Sequence, residues 1–245
     1  MKRLTWPWWV ALVLLTLLFL VLRLPASILG MVVAAQTDGK LQLAASQGSL
    51  WQGSAQPILQ DAALAERLEW AWQPAGLLRG KLGYAIKLDG GQALLSFGLG
   101  GLELREADLT FAAGPLLRLD ARTRAYGLTG QLRVASPELH WKDGKPVGQL
   151  SVDWLGATST LVPSLNPLGD YRATLVPAGD GWRLQLATLA GVLQLNGGGD
   201  WQAKQGLRGE VSLKAAPGAE AQLAPFLGQI GPGGPDAART IKFGD

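Results

Sequence analysis

From Lys40 onward, apolar residues recur at every second position in short runs broken by glycine or proline. That rhythm restricts the chain to many short strands, because side chains alternate between the two faces of an extended backbone. Leu68, Trp70 and Trp72 share one face of such a run. Leu82, Tyr84, Ile86 and Leu88 share one face of the next, and Asp89-Gly90-Gly91 follows as a hairpin signal. The 245 residues include 33 glycines and 14 prolines, a density that in a polar chain would mean disorder. Here 48% of residues are hydrophobic and they alternate, so the glycines punctuate strands. Cysteine is absent, which removes disulfides and thiolate metal sites and leaves stability to packing.

Further strands are expected over 93–98, 99–106, 107–112, 131–135, 139–142, 149–154, 171–176, 182–186, 192–196, 210–214 and 240–243. Another is expected over 116–126, its outward face marked by Arg118, Asp120, Arg122 and Arg124. Asp143-Gly144, Asp180-Gly181 and Asn196-Gly197 supply turns. Gly48 and Gly53 bracket Leu50-Trp51 and predict a bulge or a close approach of two backbones. Residues 58–67 read as a short helix or a loop. Residues 220–230 read as a helix, with Leu223, Phe226, Leu227 and Ile230 at helical spacing and Gly231-Pro232 as its stop. Sequential strands joined by tight turns make antiparallel neighbours. The expected fold is mostly β: an antiparallel, curled sheet, as a sandwich or half-barrel, with a short C-terminal helix.

Ahead of the strands lie nineteen residues, Leu4 to Leu22, without a charge, between Lys2-Arg3 and Arg23. This is the signature of a transmembrane helix, and Trp6, Trp8 and Trp9 suit a membrane interface. The apolar run is longer than the core of a signal peptide, and Arg23-Leu24-Pro25 stands where a cleavage site would need small residues. The expected division is a cytoplasmic N-terminus at 1–5, a transmembrane signal anchor at 6–23, an apolar extension at 24–35 beginning at a kink at Pro25, and an exported β domain at 36–245. The net charge of +3 belongs to Lys2, Arg3 and Arg23, leaving 19 basic and 19 acidic residues beyond them. That balance fits membrane orientation and argues against a nucleic-acid partner.

Little in the chain points to chemistry. His140 is the one histidine, with no elbow motif or cysteine to work with. Gly197-Gly198-Gly199 lacks the following Lys-Ser or Lys-Thr of a phosphate loop and reads as a flexible hairpin loop. No enzyme, metal or cofactor is expected. Of ten tryptophans, Trp51, Trp70, Trp72, Trp141, Trp154, Trp182 and Trp201 lie beyond the apolar N-terminus, and most suit a core. Trp51 and Trp201, flanked by glycine-rich sequence, are candidate interface residues.

The order of several stretches carries a family resemblance. Gly48-Ser49-Leu50-Trp51-Gln52-Gly53, Leu68-Glu69-Trp70-Ala71-Trp72-Gln73-Pro74, the turn from Pro177 to Trp182 and Gly191-Val192-Leu193-Gln194-Leu195-Asn196-Gly197, behind a basic N-terminus and a single apolar anchor, resemble the inner-membrane protein N of bacterial type II secretion systems. The matching positions, Gly48, Gly53, Trp70, Trp72, Pro74, Trp182, Gly191 and Gly197, are structural. The resemblance implies a periplasmic, mostly β domain tethered to the inner membrane of a Gram-negative cell, with other inner-membrane or periplasmic secretion proteins as partners and a role in assembly or scaffolding. A second reading stays open, that an apolar groove in the curled sheet binds or transfers lipid.

Overall fold

The structure, a computed structural model, describes residues 6–142, 145–202, 205–234 and 236–244. Two helices come first, α1 (Trp6–Leu22) and α2 (Ser27–Gln36). The first seven strands are β1 (Leu41–Gly48), β2 (Gln52–Leu59), β3 (Ala62–Ala63), β4 (Leu68–Gln73), β5 (Lys81–Leu88), β6 (Gly91–Gly98) and β7 (Gly101–Ala112). Two helical turns follow, α3 (Ala113–Leu117) and α4 (Ala121–Arg124). The strands resume with β8 (Thr129–Lys142), β9 (Lys145–Gly148), β10 (Leu150–Thr158), β11 (Gly169–Ala178), β12 (Gly181–Gly191), β13 (Leu193–Gln202) and β14 (Gly206–Ala215). Helix α5 (Glu220–Ile230) and strand β15 (Arg239–Phe243) complete the chain.

All fifteen strands form one sheet in the order of the sequence, β3 pairing with β2 and β9 with β8 beside the main path. Every pairing is antiparallel, as tight turns demand. There is no second sheet among the described residues, so of the two expected forms the sandwich is ruled out.

Curvature follows from a contact across the sheet. Trp141 on β8 and Trp201 on β13 project from the same face with ring centroids 6.0 Å apart. On a flat sheet their strands would stand about 19 Å apart, with β10, β11 and β12 between them. Lys145 on β9 also reaches Asp180 at the β11–β12 turn, 2.9 Å away. Register shifts add bends: opposite Gln92 and Leu94, where Glu106 has φ 49°, and between Trp154 and Ala157 on β10. The face bearing Trp141 and Trp201 is therefore concave.

The core is split. One cluster joins Leu193, Leu213 and Ala215 to Leu223, Phe226 and Leu227 of α5 and to Val162 and Leu168. The other joins Ala26 to Ala55 and Trp70, with Leu29, Leu43, Leu68 and Tyr84 packed around them. Both clusters lie on the concave face, near opposite ends of the strand order.

Several expectations change. The stretch read as a membrane anchor forms α1, of 17 residues, and among the described residues no helix is long and apolar enough to cross a membrane. The structure therefore does not carry the transmembrane assignment. Lys2, Arg3 and Leu4 lie outside the described residues. Pro25 separates two helices rather than kinking one, and it bridges to Ser49. Residues 116–126 are no strand. Arg124, read as part of an outward face, instead donates to the Arg118 carbonyl (Nη2 2.9 Å), and Thr123 donates to that of Leu117, so both close helical turns. Residues 58–67 hold a hairpin, because Gln60 (φ 47°) and Asp61 (φ 68°) make the two-residue turn that matches strand twist. Asn196-Gly197 is not a turn and Gly197-Gly198-Gly199 is not a loop. They lie inside β13, paired with β12 on one side and β14 on the other. A Cβ at Gly197 would overlap the Glu210 carbonyl, so glycine there permits close strand approach. The expected Asp143-Gly144 turn lies outside the described residues. The hairpin at Asp89-Gly90, the helix at 220–230 and the last strand occur where expected.

These glycines differ in what they tolerate. Gly197→Ala is expected to destabilise the protein by about 1–3 kcal/mol through forced displacement of β14. Gly228→Ala, in α5 with open space around its Cβ, is expected to stabilise it by up to about 1 kcal/mol. Urea unfolding of the two variants beside the parent measures both.

Candidate functional site

Register builds one apolar face from scattered residues. Trp72 pairs with Tyr84, Tyr84 with Leu95, and Leu95 with Leu104, carrying the row from β4 to β7. Leu109 opposite Val134 continues it, then Val134 opposite Val152 and Leu175 opposite Leu184 extend it to β12. These side chains are half-buried, shielding one another sideways. Tyr84 packs against the cluster of Ala26, Ala55 and Trp70, but from Leu95 to Leu184 no buried cluster of the described residues covers the row. What remains is an apolar trough.

The convex face carries the charge. Arg133 grips Asp108 with two bonds of 2.6 and 2.7 Å, and Arg172 grips Asp153 with two of 2.7 Å. Together they make a ladder across β7, β8, β10 and β11. The Arg172 hydrogen bonds hold the Asp153 carboxyl below its usual range against the opposing effect of burial. The Lys81 ammonium does the same for Glu103, a carboxylate that Arg105 also approaches at 3.3 Å. Such cross-strand pairs stabilise modestly and keep this face toward water.

His140 lies on the same convex face, its Nε2 2.9 Å from Glu138 Oε1. With Glu103 they place three ligand atoms within 4.8 Å of one another, a geometry that a metal ion could use. Lys81 and Arg105 already neutralise Glu103, so the donor set fits a cation poorly. The Glu138-x-His140 spacing is visible in the sequence, but Glu103 joins only through strand register.

The tryptophans divide by position. Trp70 and Trp182 are buried, as expected for core residues. Trp72, Trp141, Trp154 and Trp201 are half-buried along the trough, so fewer are core than expected. Trp51 donates its indole N–H to the Val21 carbonyl at 2.9 Å and packs against Trp72 with centroids 5.0 Å apart. The Trp72 backbone N–H donates to the Trp51 carbonyl at 2.6 Å, while its indole N–H is buried with no acceptor among the described residues. Gly48 and Gly53 face each other, and a Cβ on Gly53 would come within 2.6 Å of the Trp70 ring. Pro74 opens a short 3-10 helix of six residues, about two turns, to Arg79. Gly191 (φ 129°) lies against Gly169, an approach that a side chain would block. Trp51 and Trp201 are thus not neighbours; each closes its own aromatic pair, Trp201 with Trp141.

The ladder sets an acid limit. A carboxyl whose folded pKa is depressed contributes stability that is complete above its unfolded value of about 3.9 and is lost as pH falls through the folded value. Asp153→Asn should cost about 1 kcal/mol at pH 7, since Arg172 is half exposed and screened. It should also flatten the loss of stability below about pH 4, as read by thermal melts from pH 7 to 3.

The family model described as type II secretion system (T2SS), protein N, matches residues 39–242, which run from just before β1 into β15. No curated protein and no solved structure matches the chain.

Proposed function

The chain belongs to the type II secretion system protein N family, and from that premise we propose a non-enzymatic inner-membrane component that assists assembly or scaffolding of the machine exporting folded proteins across the outer membrane. The family match over residues 39–242 carries the reading, because it takes in nearly the whole sheet. The family is a structural component of secretion and not a known enzyme family.

In this proposal α1 is the membrane anchor and the sheet stands in the periplasm. The support is the helix itself: from Trp8 to Leu22 it is apolar on every side, every side chain is exposed, and Thr16 turns its hydroxyl back to the Leu12 carbonyl. A helix apolar all round belongs inside a core or a bilayer, and α1 packs into neither described cluster. At about 26 Å it falls a few Å short of a typical hydrocarbon core, a mismatch that local thinning and snorkelling absorb. Lys2 and Arg3 against Arg23 orient the N-terminus to the cytoplasm.

Partners, in this reading, are other inner-membrane or periplasmic secretion proteins, met at Trp51, at Trp201 or at a sheet edge. The edges differ. The Gly48 carbonyl at the end of β1 already accepts from Ala26, and Pro25 bridges to Ser49. β15 pairs only with β14 among the described strands, so its outer side suits an added strand. Deleting the gene should lower secretion of folded exoproteins, and unchanged secretion under conditions that demand the system would refute the role. A photo-crosslinking residue at Trp51 or Trp201 should give adducts to another secretion protein in living cells.

The uncovered trough favours a second reading, lipid binding. Gently extracted full-length protein should then carry lipid by mass spectrometry, and Leu175→Glu should lower it several-fold. Equal lipid in both would assign it to the anchor alone and remove this reading.

A further inference from the structure

The most exposed apolar side chains of the strands and their turns, Leu78 and Leu99, lie at one rim, whereas Val147 (56%), Leu207 (40%) and Ile241 (39%) stand farther along the strand order on β9, β14 and β15. Leu77 (54%) and Leu78 (93%) lie on the Pro74–Arg79 turn, and Leu99 (107%) tips the β6–β7 hairpin between half-exposed Phe97 and Leu102. Among the described residues the opposite rim, which carries α3, α4 and α5, exposes Leu119 at 39% and Leu189 at 48%.

The Leu-bearing rim is also the one that α1 leaves from. In an antiparallel meander, the start of β2, the end of β4 and the β6–β7 turn share an edge. The end of α1 is bound there, through Leu50 N–H to the Leu24 carbonyl at 2.8 Å and through Trp51 to Val21. Trp72 beside Trp51 leads directly into the Pro74–Arg79 turn. By strand spacing, the Leu99 tip stands within about 20 Å of this attachment. Neither tip carries an acidic residue, and Arg79 sits beside Leu78.

We propose that this rim is a second membrane contact, with Leu77, Leu78 and Leu99 seated at the headgroup boundary and Arg79 among anionic headgroups. The proposal rests on α1 being inserted. Its occupant is a bilayer surface, because the apolar tips continue the surface from which an all-apolar helix emerges, with tryptophans between them as at membrane interfaces. Basic side chains next to the surface add attraction to anionic lipid.

The absence of cysteine makes the test clean. Leu78→Cys, Leu99→Cys, Leu189→Cys and Leu14→Cys, each in the full chain, are labelled with a polarity-sensitive fluorophore and reconstituted into phosphatidylethanolamine–phosphatidylglycerol vesicles carrying spin-labelled lipid. The probes at 78 and 99 should be blue-shifted and quenched at least twofold more than the probe at 189. Quenching at 14 with 78 and 99 matching 189 would overturn the rim contact and leave the anchor standing. Without quenching at 14 the anchor reading fails, and the rim contact with it.

Discussion

A single layer of sheet has no second layer to cover its apolar side, and in this protein curvature takes that part. Trp141 and Trp201 meet across the concave face only because the strands between them curl. The curl in turn needs strands that come unusually close. Gly197 and Gly199 provide this on β13, where they face Leu186 and Leu184 of β12 and leave no side chain to hold β14 away. Every other feature follows from which side became the inside. On the concave side α5 buries Leu223, Phe226 and Leu227, and α2 lays half-buried Leu29 against the cluster of Ala26, Ala55 and Trp70, while the charged ladder is left to the convex side.

The two faces are stabilised by different physics. Asp108, Arg133, Asp153 and Arg172 tie neighbouring strands through directional, charge-assisted bonds that tolerate water. The clusters around Leu223 and Trp70 exclude it. Between them the trough has apolar walls and, among the described residues, no lid, so this part of the molecule is stabilised from behind and open in front. The family membership gives that division a setting in secretion.

How far the sequence speaks depends on the range of each interaction. Period-2 alternation is local, so strands such as Leu82 to Leu88 and the Asp89-Gly90 turn were legible directly. So was α5, from the spacing of Leu223, Phe226, Leu227 and Ile230. Glycine misled because it serves two purposes: at Asp89-Gly90 it closes a turn, and at Asn196-Gly197 it sits in mid-strand for the sake of a neighbour far off in sequence. Alternating charge misled at Arg118 to Arg124, where the Arg124 guanidinium bonds the Arg118 carbonyl and closes the turn. The ladder and the grouping of Glu103 with His140 depend on register, which spacing along one strand does not contain. Trp51 was legible as unusual for its glycine neighbours, but its bond to Val21 spans thirty residues.

Strand order equals sequence order along the main path, and this bears on how the molecule comes into being. A chain delivered from its N-terminus can lay down each strand against one already in place, with no early strand left waiting for a late partner. Such local pairing keeps the entropy of loop closure small at each step and limits the time an unpaired edge is exposed. The Trp141–Trp201 contact and the cluster that joins α5 to Leu168 and Leu193 must wait for later segments, and α5 arrives almost last. For a chain that emerges N-terminus first, the order of arrival is the order of assembly.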